Sequence, residues 1–297
     1  SESSYRTRLV ILGSTGGVTW WQSSNRASTS TALLVEDNIY LIDMGHGTAA
    51  RLAQAFNYDS DNPDGSYGGS GSSLFLEKVK CLFFTHLHQD HTADYPSLLL
   101  IGPGAGLGKE NPLQVIGPCN RGQLDNNISN YKGTIIETDS ADPDLITQTP
   151  GTIQMTETIW QAYAQTINNL TLDAGYNDFT KLIDVKEIGK QLTYQDEPTC
   201  PPTAPYEVYQ DSYVKATTTL VDHHQVYPAF AFRFDTDDGS VVISGDTGED
   251  TNGNLQNLAD NVDFLVHEVI DRKWVDFRFG DPEPGTPTYA LKKHMLE

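Results

Sequence analysis

The chain has 297 residues, with 40 acidic residues against 19 basic ones and a net charge of −21. With 38% hydrophobic residues, including 14 Tyr, 11 Phe and 4 Trp, it can bury the core of one large α/β domain. No apolar window reaches the about 18 residues of a membrane-spanning helix. No basic stripe marks a nucleic-acid grip, and the acidic surface disfavours polyanions.

Residues 1–4, Ser-Glu-Ser-Ser, are polar and lack the apolar stretch of a signal segment. They are compatible with a mature start after cleavage, and a secreted or periplasmic location is the expectation. Cys81, Cys119 and Cys200 form no CxxC pair. Cys81 lies in an apolar run and reads as core. Cys119 and Cys200 lie in Gly/Pro-rich loops and are placed to pair in an oxidising compartment.

In chain order, residues 6–12 read as a first strand, followed by a glycine turn over 13–17 near the site. Trp20 and Trp21 come next, as core residues or as a wall for an aromatic substrate. Residues 31–35 and 38–42 form a strand pair across the Glu36-Asp37 turn, and 48–56 a short helix. Asp43, at a strand end, is a candidate to orient a ligand histidine. Residues 57–73 are rich in Gly and Ser and read as a long surface loop, with only a faint calcium-like acidic spacing.

The apolar run 79–84 is a buried strand that ends in Thr85-His86-Leu87-His88-Gln89-Asp90-His91. Three imidazoles and a carboxylate within six residues are improbable by composition, because the chain holds only 8 His. Alternating His86 and His88 can serve one metal ion, and the adjacent Asp90 and His91 a second. A helix over 94–101, a glycine-rich break and a strand over 113–116 follow. Residues 119–212 read as an insertion packed over the site, with helices at 152–170 and 176–189. Beyond it, 208–221 returns to strand character and ends in Asp222-His223-His224. Strands over 229–234, 241–243 and 263–266, and a short helix over 255–260, complete the pattern. Two of these strands end in Ser244-Gly245-Asp246-Thr247 and His267-Glu268.

Metal-competent side chains thus recur at strand ends, where open α/β sheets build their sites. His86-Leu-His88-Gln-Asp90-His91 resembles the HxHxDH signature of the metallo-β-lactamase fold superfamily. Residues 244–247 and 267–268 resemble its branch containing ribonuclease Z and the zinc-dependent arylsulfatases. The resemblance runs over about 6–118 and 213–270. It implies a four-layer αββα sandwich, a single domain over 1–297 carrying the helical insertion, and two zinc ions, with manganese or iron as alternatives. His86, His88 and His223 would hold the first ion, with His224 as the fallback. Asp90 and His91 would hold the second, and Asp246 would bridge the two. Asp43 would support the ligands from behind, and His267 and Glu268 would lie beside the site. The family completes its second metal with a histidine in a late strand. Residues 291–297 read instead as helix and make His294 a poor match, so a final strand and helix are expected beyond residue 297.

The function this implies is a hydrolase using a metal-bound hydroxide, with Asp90 orienting it and accepting its proton. The acidic charge, and the single hairpin between His223 and Asp246, favour a small-molecule ester substrate, led by aryl sulfates. Tyr206, Tyr209 and the two tryptophans would face an aromatic leaving group. No nucleic acid or membrane is expected as partner, and homo-oligomerisation is open. The alternatives are a ribonuclease Z-type nuclease or phosphodiesterase, a lactonase or β-lactamase-type hydrolase, and a metal-stabilised binding module without turnover.

Overall fold

The structure is a computed structural model that describes residues 6–17, 25–56, 74–122, 135–139, 146–190, 199–224 and 226–296. Two sheets carry it. The first holds β1 (Thr7–Gly13), β2 (Ser30–Val35), β3 (Asn38–Ile42), β4 (Val79–Phe83), β5 (Leu113–Pro118) and β6 (Ile183–Ile188), side by side in chain order. β1, β2 and β3 are antiparallel neighbours, and β3 to β6 run parallel. The second holds β7 (Tyr206–Gln210), β8 (Lys215–Leu220), β9 (Phe230–Thr236), β10 (Gly239–Ile243) and β11 (Phe264–Val266). Its pairs are antiparallel except β10 with β11.

The helices are α1 (Thr48–Phe56), α2 (Gln89–Thr92), α3 (Tyr95–Ile101), α4 (Thr152–Ala162), α5 (Ala164–Asp173), α6 (Asn254–Leu258), α7 (Arg272–Phe279) and α8 (Pro287–Leu296). None is long and apolar enough to cross a membrane. Successive side chains of a strand point to opposite faces, so a strand buried on both faces must be apolar throughout. β2 and β3 are buried along their whole length, and apart from Ser30, Thr31 and Asn38 at their ends they are apolar. Leu33, Tyr40, Ile42, Cys81 and Phe83 pack against Leu220, Phe230, Phe232 and Phe234 between the sheets. Ala32, Leu34, Leu41 and Leu82 point the other way, onto Leu52 of α1 and Leu98 and Leu99 of α3. Beyond the second sheet, Ala231 and Val242 meet Leu255 and Leu258 of α6. The layers run helix, sheet, sheet, helix, which is the αββα sandwich expected.

Several expectations are revised. Residues 183–188 form β6 where a helix was expected over 176–189. Ile183 and Val185 are β-branched, and pairing with β5 supplies the backbone partners that local spacing cannot reveal. β6 and β7 both fall within 119–212, so part of that segment is sheet rather than cover. Cys200 is a free buried thiol, so the pairing with Cys119 does not form. Trp20, Trp21 and the 57–73 loop lie outside the described residues.

Tyr209 lies between the sheets instead of facing a substrate. Its ring meets Phe83 edge-on at 5.8 Å. Its hydroxyl donates to Asp211 Oδ2 at 2.8 Å, and that same oxygen accepts from Tyr40 of the first sheet at 2.6 Å. Asp211 Oδ1 accepts from the backbone N–H groups of Tyr213 and Val214. One carboxylate therefore ties the two sheets at their far end. Burial would raise the Asp211 carboxyl, but these hydrogen bonds, led by that of Tyr40, hold it below its ordinary 3.8. A group depressed in the folded state stabilises above its ordinary value and loses that contribution as pH falls through the folded value. Asp211→Ala strands two phenols, and the expected loss at pH 7 is about 2–4 kcal/mol of unfolding free energy in urea. The gap to wild type should narrow below about pH 4. A variant within about 0.5 kcal/mol of wild type at pH 7 overturns this account.

Candidate metal centre

β3, β4 and β5 run parallel, so their C-terminal ends share one edge of the first sheet. Asp43 follows β3 and residues 85–91 follow β4. From the second sheet, His223 follows β8 and Asp246 follows β10. The two sheets are stitched at this edge by the Phe230 N–H, which donates to the Thr85 carbonyl at 2.9 Å. Gly245 passes so close that a Cβ there would lie 2.8 Å from Thr85 Cβ, and its φ of +63° favours glycine.

The centre is built upward from Asp43. It is 1% exposed, and its φ of +61° is one that Asp tolerates better than most residues. Its Oδ1 accepts from the Thr85 N–H at 2.8 Å. Its Oδ2 accepts from the Thr85 hydroxyl at 2.8 Å and from His91 Nδ1 at 2.7 Å. The Thr85 hydroxyl has a single hydrogen, which Asp43 takes, so towards His86 Nδ1 at 3.2 Å it acts as acceptor. Both His86 and His91 thereby carry their proton on Nδ1. Their Nε2 atoms face away from Asp43 into the cluster.

His86 and His91 are fully buried, and neither Nε2 has a hydrogen-bond partner among the described residues. An orphaned buried ring nitrogen is costly unless something binds it. His91 Nε2 faces Asp246 Oδ1 at 3.2 Å and Asp90 Oδ2 at 3.7 Å. His223 Nε2 lies 3.4 Å from His88 Nδ1. Two nitrogens bound tetrahedrally to one zinc ion stand at about that separation. Two groups of ligand atoms lie within 4.8 Å of one another: His86, His88 and His223, and His86, His91 and Asp246. The donor set of imidazoles and carboxylates fits a divalent transition metal ion.

The electrostatics suit that use. Burial and the neighbouring imidazoles push His86 well below the ordinary histidine range, and burial lowers His88 as well. Burial also opposes charge on His91, but the Asp43 carboxylate, with Asp246 opposite, outweighs it and holds His91 well above that range. Burial would raise Asp246, and the neighbouring His91 imidazole lowers it instead.

Of the residues singled out in the sequence, His86, His88, Asp90, His91, His223 and Asp246 all converge on this edge. His224 belongs to neither group; its φ is +50° and its N–H donates to the Asp222 side chain. Glu268 lies beside the centre, where its carboxylate accepts from the N–H of Thr247, next to Asp246. His294 falls on α8. Thr85 escaped notice in the sequence. The only sign of it is a hydroxyl residue directly before the first ligand histidine.

No family model matches the chain. Among curated proteins it is similar to the ribonuclease Z of Mycobacterium sp. (strain KMS), 24% identical over 276 residues, covering 90% of this chain and 70% of that one. The ribonuclease Z of Mycobacterium bovis (strain BCG / Pasteur 1173P2) is 25% identical over 83% of this chain and 65% of its own length. Among solved structures, human tRNase Z, short form, shares the fold at a TM-score of 0.54 and 16% identity, over 97% of this chain and 88% of that one. These relatives overturn the expectation of a small-molecule ester substrate without nucleic acid. The −21 charge misled because it sums the whole surface, whereas binding depends on the local field, which bound metal ions reverse.

A metal ion on His91 Nε2 must displace the proton that Asp43 favours there. Metal affinity should therefore rise about tenfold per pH unit from pH 6 to 8. Equilibrium dialysis against zinc across that range checks this, and an affinity indifferent to pH contradicts the role given to Asp43 and His91.

Proposed function

We propose that this chain, which belongs to the metallo-β-lactamase superfamily of metal-dependent hydrolases, is a ribonuclease Z-type enzyme that hydrolyses phosphodiester bonds in RNA, with transfer RNA precursors as the lead substrate. The observation that carries the reading is the ribonuclease Z relationship over 90% of the chain. The same chain presents the buried, orphaned imidazole nitrogens of a metal centre.

Zinc is the lead metal, with two ions per chain. His86 has one lone pair to offer and serves a single ion with His88 and His223. His91, Asp90 and Asp246 are left for a second, and Asp246 has two oxygens with which to touch both. Bound divalent ions supply Lewis-acid polarisation of a phosphoryl oxygen and lower the pKa of water. The protein's own groups hold and orient. Asp43 and Thr85 lock the tautomers of His91 and His86. Asp246, with its side chain 25% exposed, marks the open side by which a phosphodiester enters. Asp90 is placed to accept a proton from the attacking water.

The test is a substrate panel with zinc or manganese supplied: a transfer RNA carrying a 3′ extension, unstructured RNA, bis-p-nitrophenyl phosphate and p-nitrophenyl sulfate. Cleavage of the extended transfer RNA is expected to dominate, and turnover of the sulfate ester alone overturns the reading. In the same assay His223→Ala should cost at least about 10²-fold in kcat/KM and His224→Ala only a few-fold. The reverse order would swap the ligand assignment. Asp246→Ala should lose one or both metals by elemental analysis, and retention of two sinks its bridging role.

A further inference from the structure

The mechanism above uses Asp90 but leaves open what aims it. Asp90 is 2% exposed, on the first turn of a four-residue helix, with no help from that helix in fixing its carboxylate. Among the described residues, its Oδ1 has a single long contact, from Gln89 Nε2 at 3.5 Å. The stronger contacts come from the segment that joins β1 to β2. The Gly17 N–H donates to Asp90 Oδ2 at 2.5 Å. From the other end of that segment, the Thr29 N–H donates to the Asp90 carbonyl at 3.1 Å.

The two ends are themselves joined. Ser14 and Thr15 N–H both donate to the Ala27 carbonyl, at 3.0 and 3.1 Å. Gly13 approaches so closely that a Cβ would lie 1.7 Å from the Ser28 carbonyl oxygen. Gly45 makes room from the third side, since a Cβ there would lie 2.0 Å from the Asp90 carbonyl oxygen. Gly17 has a φ of +79°, which turns its N–H inward, and open space where a side chain would stand.

We propose that Gly17, held in place by the pairing of residues 13–15 with 27–29, is a positioning clamp for Asp90. Gly17 holds Oδ2, which lies 3.7 Å from His91 Nε2, and so fixes the direction in which the carboxylate faces a second metal ion. A charge-assisted bond from a backbone donor is strong and does not move with rotamer changes. The inference rests on the two-metal reading and concerns only the second ion.

The test compares Gly17→Val, Gly17→Asn and Gly16→Ala in the whole chain by zinc titration and by the visible absorption of the cobalt-loaded protein. Val resists positive φ, so the N–H must swing off Asp90, whereas Asn adopts that conformation readily. Gly16 has only an ordinary 3.7 Å neighbour for a new Cβ. The Val variant should weaken the second metal by about 10- to 100-fold, leave the first unchanged, and melt without metal within about 2 °C of wild type. The Asn and Gly16→Ala variants should keep both metals at wild-type affinity. Two metals at wild-type affinity in the Val variant overturn the clamp. So does equal weakening of both sites with a lower metal-free melting temperature, which marks a merely structural loop. So does an Asn variant as weak as Val. A wild-type chain that takes up fewer than two ions defeats the two-metal reading first, and that result is distinct from any of these.

Discussion

A carboxylate taken out of water must be compensated, and Asp43 is compensated by the groups the site depends on. It holds the Thr85 N–H and hydroxyl and the His91 Nδ1 proton, which together decide which nitrogen of each buried imidazole stays free. The rest of the centre follows from that choice. If Asp43 were apolar, Thr85 could spend its hydrogen on His86, and the lone pair aimed at the cluster would be lost. The sandwich serves this arrangement by bringing the ends of β3, β4, β8 and β10 to one edge, with the aromatic packing of Phe83, Phe230, Phe232 and Phe234 behind it.

Charge acts on two scales in this protein. Over the whole surface the excess of carboxylates is large and repels a polyanion. At the site, burial pushes His86 and His88 below the ordinary histidine range, which leaves them ready for a cation. The carboxylates of Asp90 and Asp246 turn inward to share it. A net charge counts the first scale and is blind to the second. That is how an acidic chain can be related to enzymes that work on RNA.

Much of the fold was legible. The strands at 31–35, 38–42 and 79–84 and the strand ends carrying Asp43, Asp246 and His267 all stand where local pattern put them. β6 was not legible, because Ile183–Ile188 becomes a strand through its partner β5, far away in sequence. The contacts of Tyr209 were equally hidden. An aromatic near a site motif looks like a substrate wall until the second sheet is seen to carry it into the core.

His86, His88, Asp90 and His91 announce metal chemistry by themselves, because four such groups within six residues have little other use. Their spacing is covalent, so sequence alone determines it. That His223 lies beside His88 was decided by tertiary structure, since neighbouring side chains on a turn point in different directions. The tautomers set by Thr85 and the hold of Gly17 on Asp90 were decided there too. Hydrogen bonds between segments tens of residues apart depend on how the sheets stack, and no local periodicity encodes that.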